Sequence, residues 1–139
     1  MSSRTLHIES RTERLIAVRE FVSDAAREFG FTDEDVSKIA LAVDEACTNI
    51  IKHAYRYDPN RDITVTIRQK NGTFEIIIRD SGTGFDPSSL HAPDMQDYFS
   101  HYRKGGLGVY LMKRLMDKVE YEIHPGKRNE VRLIKYLSR

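Results

Sequence analysis

Leu15, Val18, Phe21, Val22, Ala25 and Phe29 recur at three- and four-residue steps, the spacing of one helix face, and Gly30 supplies the stop. Ahead of them, Thr5–Glu9 alternates polar and apolar side chains around Leu6 and Ile8 and predicts a short strand. Thr32, followed by Glu34 and Asp35, reads as an N-cap with acidic residues in the first turn. It opens a second helix whose stripe runs through Val36, Ile39, Ala40, Val43, Ala46, Cys47, Ile50 and Ala54. Asp58-Pro59-Asn60 breaks that pattern. Ile63, Val65 and Ile67 then alternate with polar residues up to Asn71-Gly72, a two-residue hairpin signal, and Phe74, Ile76 and Ile78 continue beyond it. Leu107, Leu111, Met112 and Leu115 mark a third helix starting near Gly106, followed by strands over Val119–Ile123 and Val131–Leu137 around a turn at Pro125-Gly126.

The order β, α, α, β, β, loop, α, β, β contains more hairpins than crossovers. It predicts an α+β fold, a two-layer α/β sandwich in which a mixed, mostly antiparallel sheet carries its helices on one face. The chain of 139 residues fits one domain spanning 1–139. Its one irregular stretch is polar and runs from about Gly82 to Gly106, a length that in compact domains belongs to lids and binding loops.

Composition narrows the classes of function. A net charge of +1 from 22 basic and 21 acidic residues leaves no field to hold a nucleic-acid backbone, so direct nucleic-acid binding is not expected. Cys47 is the only cysteine, which excludes an intrachain disulfide, and it falls on the apolar stripe as a core residue. The first residues lack an apolar run of signal-peptide length and no stretch is long enough to span a membrane, so a cytoplasmic protein without membrane attachment is expected.

Three segments carry candidate chemistry. Glu45 and Asn49 stand four apart on the second helix and project from one side, a carboxylate and a carboxamide suited to orienting a hydroxyl and to ligating Mg²⁺. His53, a further turn on, is expected at the edge of the same pocket. Asp80-Ser-Gly-Thr-Gly-Phe85 follows a strand directly: Asp80 can accept a hydrogen bond from an exocyclic amine such as that of adenine, and Gly82 and Gly84 permit positive φ or close backbone approach to a ligand. Arg103-Lys-Gly-Gly-Leu-Gly108 runs into the third helix, so the backbone N–H groups of Gly105, Gly106, Leu107 and Gly108 and the positive end of the helix point where a phosphate can sit, with the mobile charge of Lys104 beside them. Neither a Walker pattern nor a dinucleotide fingerprint is present, so a nucleotide would be held another way.

In this order and spacing the three segments resemble the GHKL superfamily of ATPases and kinases along nearly the whole chain. Asp44-Glu-Ala-Cys-Thr-Asn-Ile-Ile-Lys-His-Ala-Tyr55 is similar to the E-x-x-x-N box of the bacterial anti-sigma-factor serine kinases. The resemblance implies a Bergerat-type ATP-binding fold in which Asn49 holds Mg²⁺, Asp80 reads adenine, Gly82 and Gly84 shape the adenine side, and Gly106 and Gly108 contact phosphates under a lid. It also implies that Glu45 is the general base toward a serine or threonine hydroxyl, with Lys104 or the adjacent Arg103 in the place of the cation near the γ-phosphate. The implied partners are a sigma factor, a STAS-type anti-anti-sigma protein that is phosphorylated, and a second copy of the chain. A nucleotide-dependent binding module without phosphotransfer and a detached histidine-kinase ATPase domain are the alternative functions.

Overall fold

In the computed structural model, residues 2–82, 108–124 and 126–137 are described, with side-chain surroundings given from residue 112 in the third helix. The chain begins with β1 (Ser2–Glu9), a short 3₁₀ turn (Thr12–Arg14), α1 (Leu15–Phe29) and α2 (Asp33–Asn49), the last of which continues as a π-helical turn over Ile50–Ala54. Next come β2 (Asp62–Lys70), β3 (Thr73–Asp80), α3 (Gly108–Leu115), β4 (Lys118–His124) and β5 (Arg128–Tyr136).

Local chemistry accounts for the boundaries. The Thr32 hydroxyl accepts a hydrogen bond from the Asp35 backbone N–H at 3.2 Å, and Asp33, Glu34 and Asp35 face the positive helix start. Gly30 ends α1 with φ of 112°, a left-handed conformation that costs a residue with a Cβ. Asn71 and Gly72 both take positive φ, 46° and 80°, as a two-residue turn matching the twist of its strands requires.

The five strands lie in the order β1-β2-β3-β5-β4, and every neighbouring pair is antiparallel. The sheet is therefore more uniform than the mixed, mostly antiparallel one expected from the sequence: β2–β3 and β4–β5 are hairpins, and β1–β2, joined through α1 and α2, and β3–β5 pair in the same antiparallel sense. Because side chains alternate, Val65, Ile67, Phe74, Ile76, Ile78, Val131 and Leu133 face one side and pack there under Val18, Val22, Ile39, Val43 and Cys47 of the helices. Phe29 and Phe31 close this core at one end against Phe74, with ring centroids 5.5 Å apart. Cys47 has no exposure, and burial followed by the charge of Asp44 pushes its thiol up to about 12, a structural and unreactive cysteine. No described helix is long and apolar enough to cross a membrane.

Candidate functional site

α2 presents Glu45 and Asn49 beside its buried stripe, both half-buried while Ala46 and Cys47 between them are fully in the core. Burial raises the Glu45 carboxyl above its ordinary value, the neighbouring Asp44 adds to the rise, and Lys52 opposes it. A raised carboxylate takes up a proton more readily, as a general base requires. Asp44 is held away from this face by Arg19 of α1, whose Nε lies 3.0 Å from its carboxylate. The Asn49 side-chain nitrogen is buried and meets no hydrogen-bond partner. Rotation of a carboxamide exchanges its donor and acceptor ends, so this position can offer an N–H to a ligand oxygen or an oxygen to a cation.

Beyond Asn49 the helix changes pitch. The Tyr55 N–H donates to the Ile50 carbonyl at 2.9 Å and the Tyr57 N–H to the Ile51 carbonyl at 2.8 Å, so the last turn is wide, and Arg56 and Tyr57 then take positive φ. The α-helical stripe predicted through Ala54 is therefore corrected: α spacing holds to Asn49, and a π turn places Ile50, Ile51 and Ala54. Insertions of this kind often mark functional sites. His53 lies half-buried in the wide turn, one turn on from Asn49 as expected.

The turn after β3 is seated on this widened end. A Cβ on Gly82 would lie 2.7 Å from the Ala54 carbonyl oxygen and 3.0 Å from the Ala54 Cβ, so only glycine fits. Gly82 is not among the described residues with positive φ, and the close approach it permits is to the Ala54 backbone of this same chain, whereas a ligand was expected there from the sequence. Asp80 Oδ1 accepts from the Gly82 N–H at 2.8 Å and from Asn129 Nδ2 at 3.0 Å. Asn129, buried on β5, also donates to the Gly82 carbonyl at 2.8 Å and accepts from the His124 N–H at 3.0 Å. These bonds pin one oxygen of Asp80 and do not involve the other. Burial raises the Asp80 carboxyl, while the bonds from Asn129 and Gly82 and the charge of Arg61 oppose the rise.

The structure thus joins two of the three predicted segments, setting Asp80 and Gly82 against the end of the helix that bears Glu45 and Asn49. Gly108 begins α3, which packs against α2. Gly84, Lys104, Gly105, Gly106 and Leu107 lie outside the described residues, as does the lid predicted at about 82–106 apart from Gly82 itself. Asn129, Tyr55 and Arg61 hold the turn, and none of them was assigned a role from the sequence: Tyr55 closes the segment that resembles the E-x-x-x-N box, while Asn129 and Arg61 lie outside the three candidate segments. Asn129 lies ahead of the strand expected at Val131–Leu137, and only the structure places it, buried, within β5.

A purine nucleotide fits these residues. The Asp80 oxygen that has no hydrogen-bond partner among the described residues suits an exocyclic amine, and the orphaned Asn49 amide can meet a polar partner. No group of three or more His, Cys, Asp or Glu side chains placed to hold a metal ion occurs among the described residues.

Comparison with known proteins supplies the family. The histidine kinase-like ATPase domain matches residues 8–135. The serine-protein kinase RsbW of Bacillus subtilis is 31% identical over 138 residues, covering 96% of this chain and 84% of the relative. RsbW of Bacillus licheniformis is 32% identical over 134 residues, covering 94% and 82%. Among solved structures, the RsbU and RsbW domains of a Mycobacterium tuberculosis protein superpose with a TM-score of 0.71 at 17% identity over 100% of this chain and 33% of that one. The SiaB-SiaC complex of Pseudomonas aeruginosa gives 0.64 at 12% identity over 96% and 89%. The second pair shares the fold; the first, similar along its length, carries more, and the chain belongs to the histidine kinase-like ATPase family as a member of its RsbW-like serine-protein kinases.

Proposed function

We propose that this kinase uses ATP with Mg²⁺ to phosphorylate a serine or threonine of a STAS-type anti-anti-sigma protein, and that it sequesters a sigma factor in the cytoplasm as a homodimer. The observation that carries the nucleotide half is the Asp80 carboxylate, pinned through one oxygen beside a glycine turn that rests on the Glu45–Asn49 helix. The kinase names of the relatives support the other half.

Asp80 accepts from the adenine amine through its unpinned oxygen. Asn49 would hold Mg²⁺ through its carboxamide oxygen, and the ion would supply neutralisation of phosphate charge and alignment of the γ-phosphoryl group. Glu45 takes the proton of the acceptor hydroxyl as that oxygen bonds to the γ-phosphorus and the bond to the ADP oxygen breaks. Backbone N–H groups of Gly105, Gly106, Leu107 and Gly108, with Lys104 or Arg103, meet the phosphates and their developing charge.

Incubation of the full chain with radiolabelled ATP and a STAS-domain substrate tests this reading. Transfer to a hydroxyl-stable phosphate is expected, falling about 10²- to 10⁴-fold in Glu45→Ala. The wild-type rate should also drop as acidification carries the medium through the raised Glu45 value, since the base works only when ionised. Tight partner binding with no phosphorylated product, or unchanged transfer by Glu45→Ala, rules the assignment out.

A further inference from the structure

Ser81 separates Asp80 from Gly82, the two residues that Asn129 holds, and has its own partners in Tyr55 and Arg61. The Tyr55 hydroxyl accepts from the Ser81 N–H at 2.8 Å and donates to the Asp62 carbonyl at 2.6 Å. Arg61 Nη2 donates to the Ser81 carbonyl at 2.9 Å and to its hydroxyl at 3.1 Å. The same guanidinium lies over the Tyr55 ring, 4.7 Å from its centroid, so the two side chains brace one another. Tyr55 is 4% exposed, and its hydroxyl meets partners from two other segments of the chain.

We propose that Tyr55 and Arg61 are positioning residues for nucleotide recognition, clamping the Ser81 backbone so that Asp80 presents its unpinned oxygen at a fixed place. The inference rests on the reading of Asp80 as the acceptor of the adenine amine. It follows from where the three segments meet. Tyr55 follows the π turn next to Gly82, Arg61 directly precedes β2, which Asp62 begins, and Ser81 directly follows β3, so one ring and one guanidinium lock the end of α2, the start of β2 and the nucleotide turn together. A backbone held on both flanks spends no binding energy on ordering itself around a ligand. The clamp touches the amine-reading turn and not Glu45 or Asn49. Its loss should therefore act on the part of the affinity that depends on the amine.

The test compares dissociation constants of the full chain for Mg²⁺-ATP and for purine riboside triphosphate, which lacks the exocyclic amine. Wild type should prefer ATP about 10- to 100-fold, the size of one hydrogen bond to a charged group. Tyr55→Phe, which removes one oxygen and keeps the ring, and Arg61→Met should cut that preference to about threefold with little change toward the amine-free nucleotide. Arg61→Lys, retaining charge and a donor, should keep more of the preference than Arg61→Met. The double variant should be no worse than the poorer single one, because both side chains act through Ser81.

Folded variants that keep the full preference, or that lose affinity for both nucleotides equally, overturn the clamp; equal loss is what a merely structural role gives. Should Arg61→Met fail to fold, Tyr55→Phe carries the readout. If wild type itself shows no preference, it is the reading of Asp80 that falls, and the clamp falls with it.

Discussion

At Gly82 the chain needs glycine for room, since an added methyl would press on the Ala54 backbone, which cannot swing aside as a long side chain can. Gly82→Ala should therefore lower stability by about 1–3 kcal/mol, read as a fall in urea midpoint, and weaken ATP binding more than about tenfold by shifting the turn. A variant with wild-type midpoint and affinity would show that the turn and the helix end are not held in register. Single residues also mark the limit of what the sequence displays. Glu45 and Asn49 were legible because a four-residue step on a strongly patterned helix places them on one side, and Asp80 because it ends an alternating strand before glycines. Tyr55, Arg61 and Asn129 were not, because their partners lie 26, 20 and 49 residues away in the chain and no local period encodes such pairings.

Elements with a chemical signal at each end were read closely. Thr32 and Gly30 bracket the helices, and Asn71-Gly72 sets the β2–β3 register that pairs Val65 with Ile78. The π turn escaped because Ile50, Ile51 and Ala54 remain compatible with α spacing, and the contact that the widened turn makes with Gly82 joins residues far apart in the chain. Register also gathers charges that periodicity cannot. On the sheet face away from the helices, Glu130 of β5 is 7% exposed and accepts from Arg79 Nε of β3 at 2.8 Å, with Arg132 at 3.0 Å and Arg128 at 3.4 Å. Burial alone would raise this carboxyl; the bond and charge of Arg79, then Arg128 and Arg132, outweigh it and hold the carboxyl below its ordinary value. A folded value below the unfolded one means stability that is present above the unfolded pKa and lost as pH falls through the folded value. Glu130→Gln should cost about 1–2 kcal/mol at pH 7, allowing for solvent around the arginines, and the difference from wild type should close on acidification below about pH 4. Parallel melting curves across that range check it; a difference independent of pH would assign the loss to packing.

Over the whole molecule the same chemistry runs in the opposite sense at the nucleotide turn. The five-stranded antiparallel sheet and its helical layer supply a core in which Phe74, Ile76 and Leu133 have no exposure, and against that rigid support the fold can hold a carboxylate in an unfavourable place. The Asp80 carboxyl is raised, chiefly by burial, so the folded state favours the protonated form more than the unfolded chain does. Its contribution is favourable below the unfolded pKa and is lost as pH rises through the folded value, leaving a cost at neutral pH. Asp80→Asn removes that charge while its carboxamide oxygen can still accept from the Gly82 N–H and from Asn129 Nδ2. Those two donors fix which way the amide faces, and its NH₂ must take the unpinned position. The nucleotide-free variant should therefore melt above wild type at pH 7, with the gain vanishing below about pH 4, where the wild-type carboxyl is protonated in both states. Its NH₂ would confront the adenine NH₂, donor against donor. Wild type should gain about 2.7 kcal/mol from Mg²⁺-ATP at one hundred times its dissociation constant, and at that same concentration the variant should gain almost nothing. A variant that melts higher yet still responds to ATP would detach Asp80 from the adenine amine, whereas one that melts lower would show that its charge is satisfied within the fold.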